Sequence, residues 1–125
     1  MKILIVDDEP LVRIALSRAC KTRGHEIIEA SGGEEGLDLW IQEQPDLIFL
    51  DVLMPDMNGP KVIEKVSHQN RGKIILMSAY TGGYDLKKAQ SVGADVFIPK
   101  PFDDVFEIIK VAESLFEEAG NKRNS

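Results

Sequence analysis

The chain has 125 residues and carries 15 Lys and Arg against 21 Asp and Glu, a net charge of −6 at pH 7. This length fits one domain, and the acidic balance argues against direct binding of nucleic acid or anionic lipid, which require clustered Lys and Arg. The single Cys excludes an internal disulfide framework. The opening apolar run, residues 3–6, is too short for a signal peptide or a membrane span, so we expect a cytoplasmic domain.

Five short apolar runs predict five β-strands. The runs at 2–7, 46–51 and 73–78, and the shorter run at 95–98, do not alternate apolar with polar residues. This pattern is typical of central parallel strands that are covered on both faces. The run at 25–30 is more polar, which predicts an edge strand.

Helical periodicity fills the first three gaps between these runs. The first helix has an apolar stripe that includes Cys20, and Gly24 provides its C-terminal stop. Ser31 and Glu34 have the spacing of a capping box that would open the second helix. Pro60 suits the first turn of the third helix.

The last two helices differ in the strength of their apolar pattern. The stretch 85–91 offers only Leu86 and Ala89 as apolar anchors, so we expect the least firmly packed helix there. The final helix, from Val105 to Phe116, has the clearest amphipathic spacing. We therefore place one domain at residues 1–119, followed at 120–125 by a polar C-terminal tail or the start of a linker.

Strands and helices alternate strictly along the chain. This order predicts an α/β fold, a doubly wound parallel sheet with helices on both faces and right-handed crossovers. In such a sheet the ligand site lies beyond the carboxyl ends of the strands. The side chains that end the predicted strands are therefore the candidates for a functional site.

Acidic, hydroxyl and ammonium groups follow the predicted strands. Asp7 and Asp8 end the first strand, Asp51 the third and Ser78 the fourth, and Lys100 follows the fifth. The first loop lacks the glycines that hold phosphate in nucleotide-binding folds. Clustered carboxylates without His or Cys suit a hard cation, so we predict Mg²⁺, with Mn²⁺ as the alternative.

The charges of these groups suggest phosphoryl transfer. Three carboxylates bring −3, and one divalent ion with Lys100 brings +3, so the loaded site would be near neutral. Such a site can accept a phosphoryl group, because the metal and the ammonium stabilise its oxygens. Asp51 is the best nucleophile, since it ends a central strand and faces both the acidic loop and Lys100.

The motifs at these positions resemble those of response regulator receiver domains, of the chemotaxis-regulator type. The resemblance covers nearly the whole chain. It rests on Asp7-Asp8, the stretch 51–59 (DVLMPDMNG), Ser78-Ala79, the stretch 93–95 (GAD) and the stretch 100–102 (KPF), in family order and spacing. Each motif alone is weak, but together they are specific.

This resemblance implies a flavodoxin-like fold, a five-stranded sheet in the order 2-1-3-4-5. It also implies that Asp51 is the phosphoacceptor and that Asp8, Asp51 and the backbone carbonyl of Leu53 ligate Mg²⁺. By the same likeness Asp7 would hold the metal mainly through water. The catalysis would be limited to phosphorylation and dephosphorylation of the protein's own Asp, so we do not expect a conventional enzyme.

The resemblance further assigns Lys100 to the phosphoryl group and implies a cis peptide bond between Lys100 and Pro101. Ser78 and Phe97 take the two switch positions of the family. Movement of Ser78 and Phe97 would shift the loop at 78–84 and the surface of the fourth helix, fifth strand and fifth helix. The implied partners are a sensor histidine kinase or a histidine phosphotransfer protein, and a downstream protein or output domain.

Two other functional classes compete with this interpretation. A phosphatase of the haloacid dehalogenase type also uses an Asp nucleophile with Mg²⁺, but it needs a second Asp two residues later, where this chain has Leu53. A pseudo-receiver, a phosphorylation-independent interaction module, is disfavoured because all five candidate site residues are present. His25 and His68 stand apart from the acidic cluster, and we expect both to be solvated.

Overall fold

The computed structural model describes residues 1–66, 71–79 and 85–124, with side chains described as far as residue 118. Strands and helices alternate along these residues as the sequence predicts. The elements are β1 (Lys2–Val6), α1 (Pro10–Thr22), β2 (Glu26–Ala30), α2 (Gly33–Glu43), β3 (Leu47–Asp51), α3 (Gly59–Lys65), β4 (Lys73–Ser78), α4 (Leu86–Ser91), β5 (Val96–Pro99) and α5 (Val105–Asn124).

The strands form one parallel sheet in the order β2-β1-β3-β4-β5. This is the flavodoxin-like order implied by the resemblance, and the polar strand β2 lies at an edge as predicted. The central strands β1 and β3 pair directly, with Ile5 opposite Phe49 and Val6 opposite Leu50. The carboxyl ends of β1 and β3 therefore meet at one edge of the sheet.

The sheet separates two apolar cores. On one face Leu4 and Val6 of β1 pack with α2, α3 and α4, where Trp40 and Val62 are fully or almost fully buried. On the other face, Ile3 and Ile5 of β1 and their counterparts on the other strands pack against α1 and α5. Since both faces are covered, the interior positions of the central strands β1, β3 and β4 are apolar, which explains the absence of alternation in these runs.

Helix α1 ends as the sequence predicts. Gly24 has a φ of 84°, a left-handed conformation that glycine adopts without steric cost. The N–H of Gly24 donates to the carbonyl of Lys21, and that of His25 donates to the carbonyl of Cys20. These two bonds form a Schellman motif, which satisfies the last carbonyls of the helix.

The capping box predicted for α2 is wrong. The N-cap residue is Gly32, and no side chain of the helix caps it. Instead, the carboxylate of Asp56 accepts hydrogen bonds from the backbone N–H groups of Gly33 (3.0 Å) and Glu34 (2.9 Å). These bonds lower the pKa of Asp56. The cap comes from the loop after β3, a partner that no local sequence pattern reveals.

Helix α4 is weakly anchored, as expected, but by one residue rather than two. Ala89 is fully buried, whereas the side chain of Leu86 is 50% exposed. Helix α5 continues to Asn124, so residues 120–124, expected to be a polar tail, are helical. None of the described helices is long and apolar enough to cross a membrane.

The expectation that His25 is solvated is wrong. Its ring lies 2.8 Å from a carboxylate oxygen of Glu113 on α5, and its side chain is only 12% exposed. Arg23 donates two hydrogen bonds to the same carboxylate. This cluster ties α1 to α5 at the end of the sheet far from the acidic loop. His68 lies outside the described residues.

Candidate functional site

Three carboxylates meet at the carboxyl edge of the sheet. Asp7 directly follows β1 and Asp51 is the last residue of β3, and these two side chains are almost fully buried. Asp8 lies in the loop after β1 and is partly exposed. One oxygen from each of the three carboxylates lies within 4.8 Å of the others. The structure thus brings together the acids that the sequence predicts.

The ammonium group of Lys100 lies inside this cluster. Its Nζ is 3.0 Å from Asp7 Oδ2 and 3.5 Å from Asp51 Oδ1, and its side chain is only 6% exposed. The residue follows β5, and the peptide bond between Lys100 and Pro101 is cis, as the resemblance implies. The backbone N–H of Lys100 donates to the carbonyl of Ser78, which joins the ends of β4 and β5.

Two further charged residues contact the site, and the sequence interpretation missed both. Glu9 Oε1 lies 2.9 Å from Lys100 Nζ. Arg13 donates a hydrogen bond of 2.6 Å from its guanidinium to the backbone carbonyl of Asp7, and it lies 3.8 Å from a carboxylate oxygen of Glu29. The spacing of Glu9 and Arg13 at the start of α1 was the available signal, but it reads equally well as a solvated helix face.

The two switch candidates occupy neighbouring strands. Ser78 ends β4 and is fully buried. Phe97, in β5, lies opposite Leu76 of β4, is half-buried, and packs against the core on the α2, α3 and α4 face. Residues 80–84, which contain most of the loop expected to move, lie outside the described residues.

Leu53 lies in the loop that follows Asp51, with its side chain 56% exposed. Two backbone hydrogen bonds fix the start of this loop: the N–H of Val52 donates to Met77, and its carbonyl accepts from Gly59. None of the hydrogen bonds between described residues uses the carbonyl of Leu53.

Burial and crowding shift the pKa of the acids. Burial, with the negative charge of Asp7 as the second cause, raises the pKa of Asp51 to about 7, and Lys100 only partly offsets this. Burial also raises the pKa of Asp7, against the hydrogen bonds from Glu9 and Lys100. For Lys100, burial lowers the pKa, but the bonds to Glu9 and Asp7 outweigh it, so the pKa is raised and the ammonium stays charged.

The donor set fits a hard divalent cation. The cluster consists of carboxylate oxygens, which Mg²⁺ and Mn²⁺ prefer. A cation bound here would add positive charge beside Asp51, where burial and the charge of Asp7 disfavour the ionised carboxylate and Lys100 offsets them only in part. Both oxygens of Asp7 already accept hydrogen bonds, from the N–H of Glu9 and from Lys100, which leaves Asp8 and Asp51 as the more available ligands.

Gly59 sets the position of Asp51. A Cβ at this residue would lie 2.5 Å from the backbone carbonyl oxygen of Asp51 and 3.2 Å from Leu76 Cδ2. We therefore expect Gly59→Ala to displace the backbone of Asp51 and to lower the free energy of unfolding by about 2 kcal/mol. Urea denaturation would measure the loss. Gly24→Ala is the control. No heavy atom lies within 4 Å of a Cβ at this residue, and the cost of the substitution arises from a positive φ far from the site. If both variants displaced the backbone of Asp51 equally, the prediction would be contradicted.

Known proteins similar to this chain are response regulators. The family model described as "Response regulator receiver domain" matches residues 3–113. Regulatory protein AtoC of Escherichia coli (strain K12) is 40% identical over 103 residues, which are 82% of this chain and 22% of AtoC. Transcriptional regulatory protein PdtaR of Mycobacterium tuberculosis (strain H37Rv) is 31% identical over 120 residues, which cover 94% of this chain and 58% of PdtaR.

Solved structures of receiver domains match this fold over nearly the whole chain. A CheY-like receiver domain protein from Methanospirillum hungatei JF-1 has a TM-score of 0.85 and 27% identity, with 97% of each chain covered. The chemotaxis response regulator CheY4 of Vibrio cholerae has a TM-score of 0.80 and 27% identity, with 91% of this chain and 97% of that chain covered. By contrast, the chain spans only 22% to 58% of the two curated relatives named above.

Proposed function

The chain belongs to the response regulator receiver domain family, and from this premise we propose that it is switched by transfer of a phosphoryl group to Asp51. The observation that carries the proposal is the placement of one buried ammonium, Lys100, against two buried carboxylates, Asp7 and Asp51. Burying three charged groups together costs desolvation free energy, and such clusters are typical of functional sites.

The transfer itself uses Asp51 as nucleophile. A carboxylate oxygen of Asp51 attacks the phosphorus of a phosphohistidine on a partner protein, and an O–P bond forms as the N–P bond breaks. The electron pair of the broken bond stays on the imidazole nitrogen. Lys100, already 3.5 Å from Asp51 Oδ1, stabilises the negative charge on the phosphoryl oxygens.

Asp8 and Asp51, together with the backbone carbonyl of Leu53, would hold Mg²⁺ or Mn²⁺ directly, and Asp7 would act through water. When bound, the metal supplies positive charge at the phosphoryl oxygens, as in other phosphoryl-transfer sites. The partial exposure of Asp8 supports this assignment, because it leaves room for the water ligands that Mg²⁺ retains. Asp7 is held instead by Lys100 and Glu9.

Phosphorylation would be communicated through Ser78 and Phe97. An acyl phosphate adds charge and acceptor oxygens near Asp51, and the hydroxyl of Ser78 can donate to one of them. Ser78 moving toward the phosphoryl group would give Phe97 room to turn inward and would shift the surface of α4, β5 and α5. A nearly complete switch needs roughly 5.5 kcal/mol of differential stabilisation, and charge-assisted hydrogen bonds can supply much of it.

The partners follow from the family. We propose a sensor histidine kinase or histidine phosphotransfer protein as donor, and a downstream protein or an output domain as receiver of the signal. Matched relatives that are longer than this chain include proteins named as transcriptional regulators, such as ycf27 of Guillardia theta and PdtaR. The proposed receiver unit covers residues 1–119 and works in the cytoplasm, without direct contact to nucleic acid or membrane.

Acetyl phosphate, a small phosphodonor, tests the proposal. The protein should gain one phosphoryl group in the presence of Mg²⁺ and none in excess EDTA, as measured by intact mass under mild conditions. Backbone NMR signals of α4, β5 and α5 should shift with the gain in mass. A protein that stays unmodified with Mg²⁺ would contradict the proposal and favour the pseudo-receiver alternative.

A further inference from the structure

Lys100 is held more closely by Glu9 than by the proposed phosphoacceptor. Its Nζ lies 2.9 Å from Glu9 Oε1 and 3.0 Å from Asp7 Oδ2, but 3.5 Å from Asp51 Oδ1. An ammonium has three N–H donors, and Glu9 and Asp7 take two of them with good geometry. Two of the three N–H donors of the group that must stabilise an incoming phosphoryl are therefore already engaged by Glu9 and Asp7.

The two carboxylates that hold Lys100 differ in exposure. The side chain of Asp7 is fully buried, whereas that of Glu9 is 58% exposed. If Asp7 lost Lys100, a buried charge would be left without its partner, which is expensive. Glu9 can turn into water more readily than Asp7, because its carboxylate is already largely exposed and can be hydrated there. Glu9 is the partner that Lys100 can give up.

Glu9 directs its side chain to Lys100 and not to its own helix. It is the N-cap residue of α1, and its side chain makes no capping hydrogen bond. Glutamate is not among the side chains that favour this position, which are Ser, Thr, Asp and Asn. The carboxylate of Glu9 accepts a hydrogen bond from Lys100 instead.

We propose that Glu9 is a positioning residue that holds Lys100 in the resting state and releases it when a phosphoryl group occupies the site. This inference rests on the proposed function. The phosphoryl oxygen takes the N–H that Glu9 gives up, while Asp7 keeps its bond. Phosphorylation therefore includes an exchange of one partner of Lys100, and Glu9 sets how readily the site accepts the anion.

Two properties can be measured in matched variants. The ε-methylene NMR signal of Lys100 in metal-free protein reports whether the ion pair with Glu9 is present. Affinity for beryllofluoride with Mg²⁺, a mimic of the phosphoryl group, reports how readily Lys100 turns to the anion. Glu9→Gln should move the Lys100 signal and raise beryllofluoride affinity about 5-fold.

Two more variants separate the exchange from a general charge effect. Glu34→Gln removes an exposed carboxylate that borders the groove beside Asp8. This variant should leave the Lys100 signal unchanged, and its beryllofluoride affinity should stay within about 2-fold of the wild-type value. Glu9→Asp keeps the charge but shortens the side chain. If the Lys100 signal shows that this variant has lost the ion pair, its beryllofluoride affinity should rise as it does in Glu9→Gln.

The outcomes are distinguishable. Affinity that follows the Lys100 signal across the variants supports the inference. It is overturned if Glu9→Gln and Glu34→Gln raise the affinity equally, or if Glu9→Asp breaks the pair yet keeps wild-type affinity, because both results indicate charge alone. Wild-type protein that does not bind beryllofluoride with Mg²⁺ contradicts the proposed function itself, whereas an unmoved Lys100 signal in Glu9→Gln contradicts only the role of Glu9.

Discussion

Replacing Asp51 with Asn is expected to reduce phosphoryl incorporation from acetyl phosphate by roughly 100-fold or more, because the amide removes the nucleophile while preserving its shape. Asp51 is the last residue of the central strand β3. Its side chain is buried, and its Oδ1 lies 3.5 Å from Lys100 Nζ. Asp7, the other buried acid of the cluster, is held by Lys100 and by the N–H of Glu9 and is therefore not free to act as the nucleophile in its place. Intact mass after incubation with acetyl phosphate and Mg²⁺ measures the loss.

A matched control is Asp103→Asn, an exposed acid on the loop between β5 and α5. It should accept the phosphoryl group at the wild-type rate. If Asp51→Asn still gains a phosphoryl group, peptide mapping would reveal the true acceptor and the assignment of Asp51 would be wrong. The α4, β5 and α5 NMR signals should also stop responding to the phosphodonor in Asp51→Asn.

The second large effect is on stability in metal-free protein. Burial, then the charge of Asp7, raises the pKa of Asp51 to about 7 from an ordinary value of 3.8. The folded protein therefore binds more protons than the unfolded chain between these two values, so stability falls as the pH rises through this range. Each pKa unit is worth about 1.4 kcal/mol, which gives an upper bound of roughly 4 kcal/mol.

We expect about half of this bound to be observed, because Lys100 and solvent relax around the charged carboxylate. Roughly 2.6 kcal/mol of that bound falls between pH 5 and pH 8, so in EDTA wild-type protein should lose roughly 1.3 kcal/mol of unfolding free energy over this interval. The raised pKa of Asp7 acts in the same direction. The lowered pKa of Glu113 acts in the opposite direction, but it changes stability mainly below this range.

Asp51→Asn tests the cause. At pH 8 in EDTA this variant should be more stable than wild type by about 2 kcal/mol, since the buried charge is gone. Added Mg²⁺ should raise the stability of wild type by linkage and have a smaller effect on the variant. Urea denaturation at pH 5 and pH 8 gives all of these values. A wild-type stability that is constant or increases over this interval would contradict the assignment of the raised pKa to Asp51.

The fold followed from local patterns because each strand and helix carries its own signal. Short, mostly apolar strands of four to six residues and amphipathic stretches between them predict a doubly wound sheet. The failures came from partners distant in sequence. Asp56 caps α2 from the loop after β3, and Glu113 holds His25 from 88 residues away. No local motif encodes such contacts.

The residues of the acidic edge could also be predicted, because parallel strands bring their carboxyl ends together wherever the chain runs. Asp7, Asp8, Asp51, Ser78 and Lys100 were therefore identified from the sequence. Glu9 and Arg13 were not, since a charged residue at the start of a helix is usually solvated. Their role depends on where the ammonium of Lys100 and the carbonyl of Asp7 lie in space.

The sequence by itself determined the type of fold, the edge of the sheet that carries the chemistry and the residues at that edge. Only the tertiary structure decided how the charges are partnered. Asp7 and Asp51 are buried and Asp8 is partly exposed. The ammonium of Lys100 is shared between Asp7, Glu9 and Asp51. The physical reason is the distance along the chain over which each interaction acts. Strand and helix patterns follow from neighbours in the chain, whereas the desolvation and pairing of a charge depend on atoms brought together by packing.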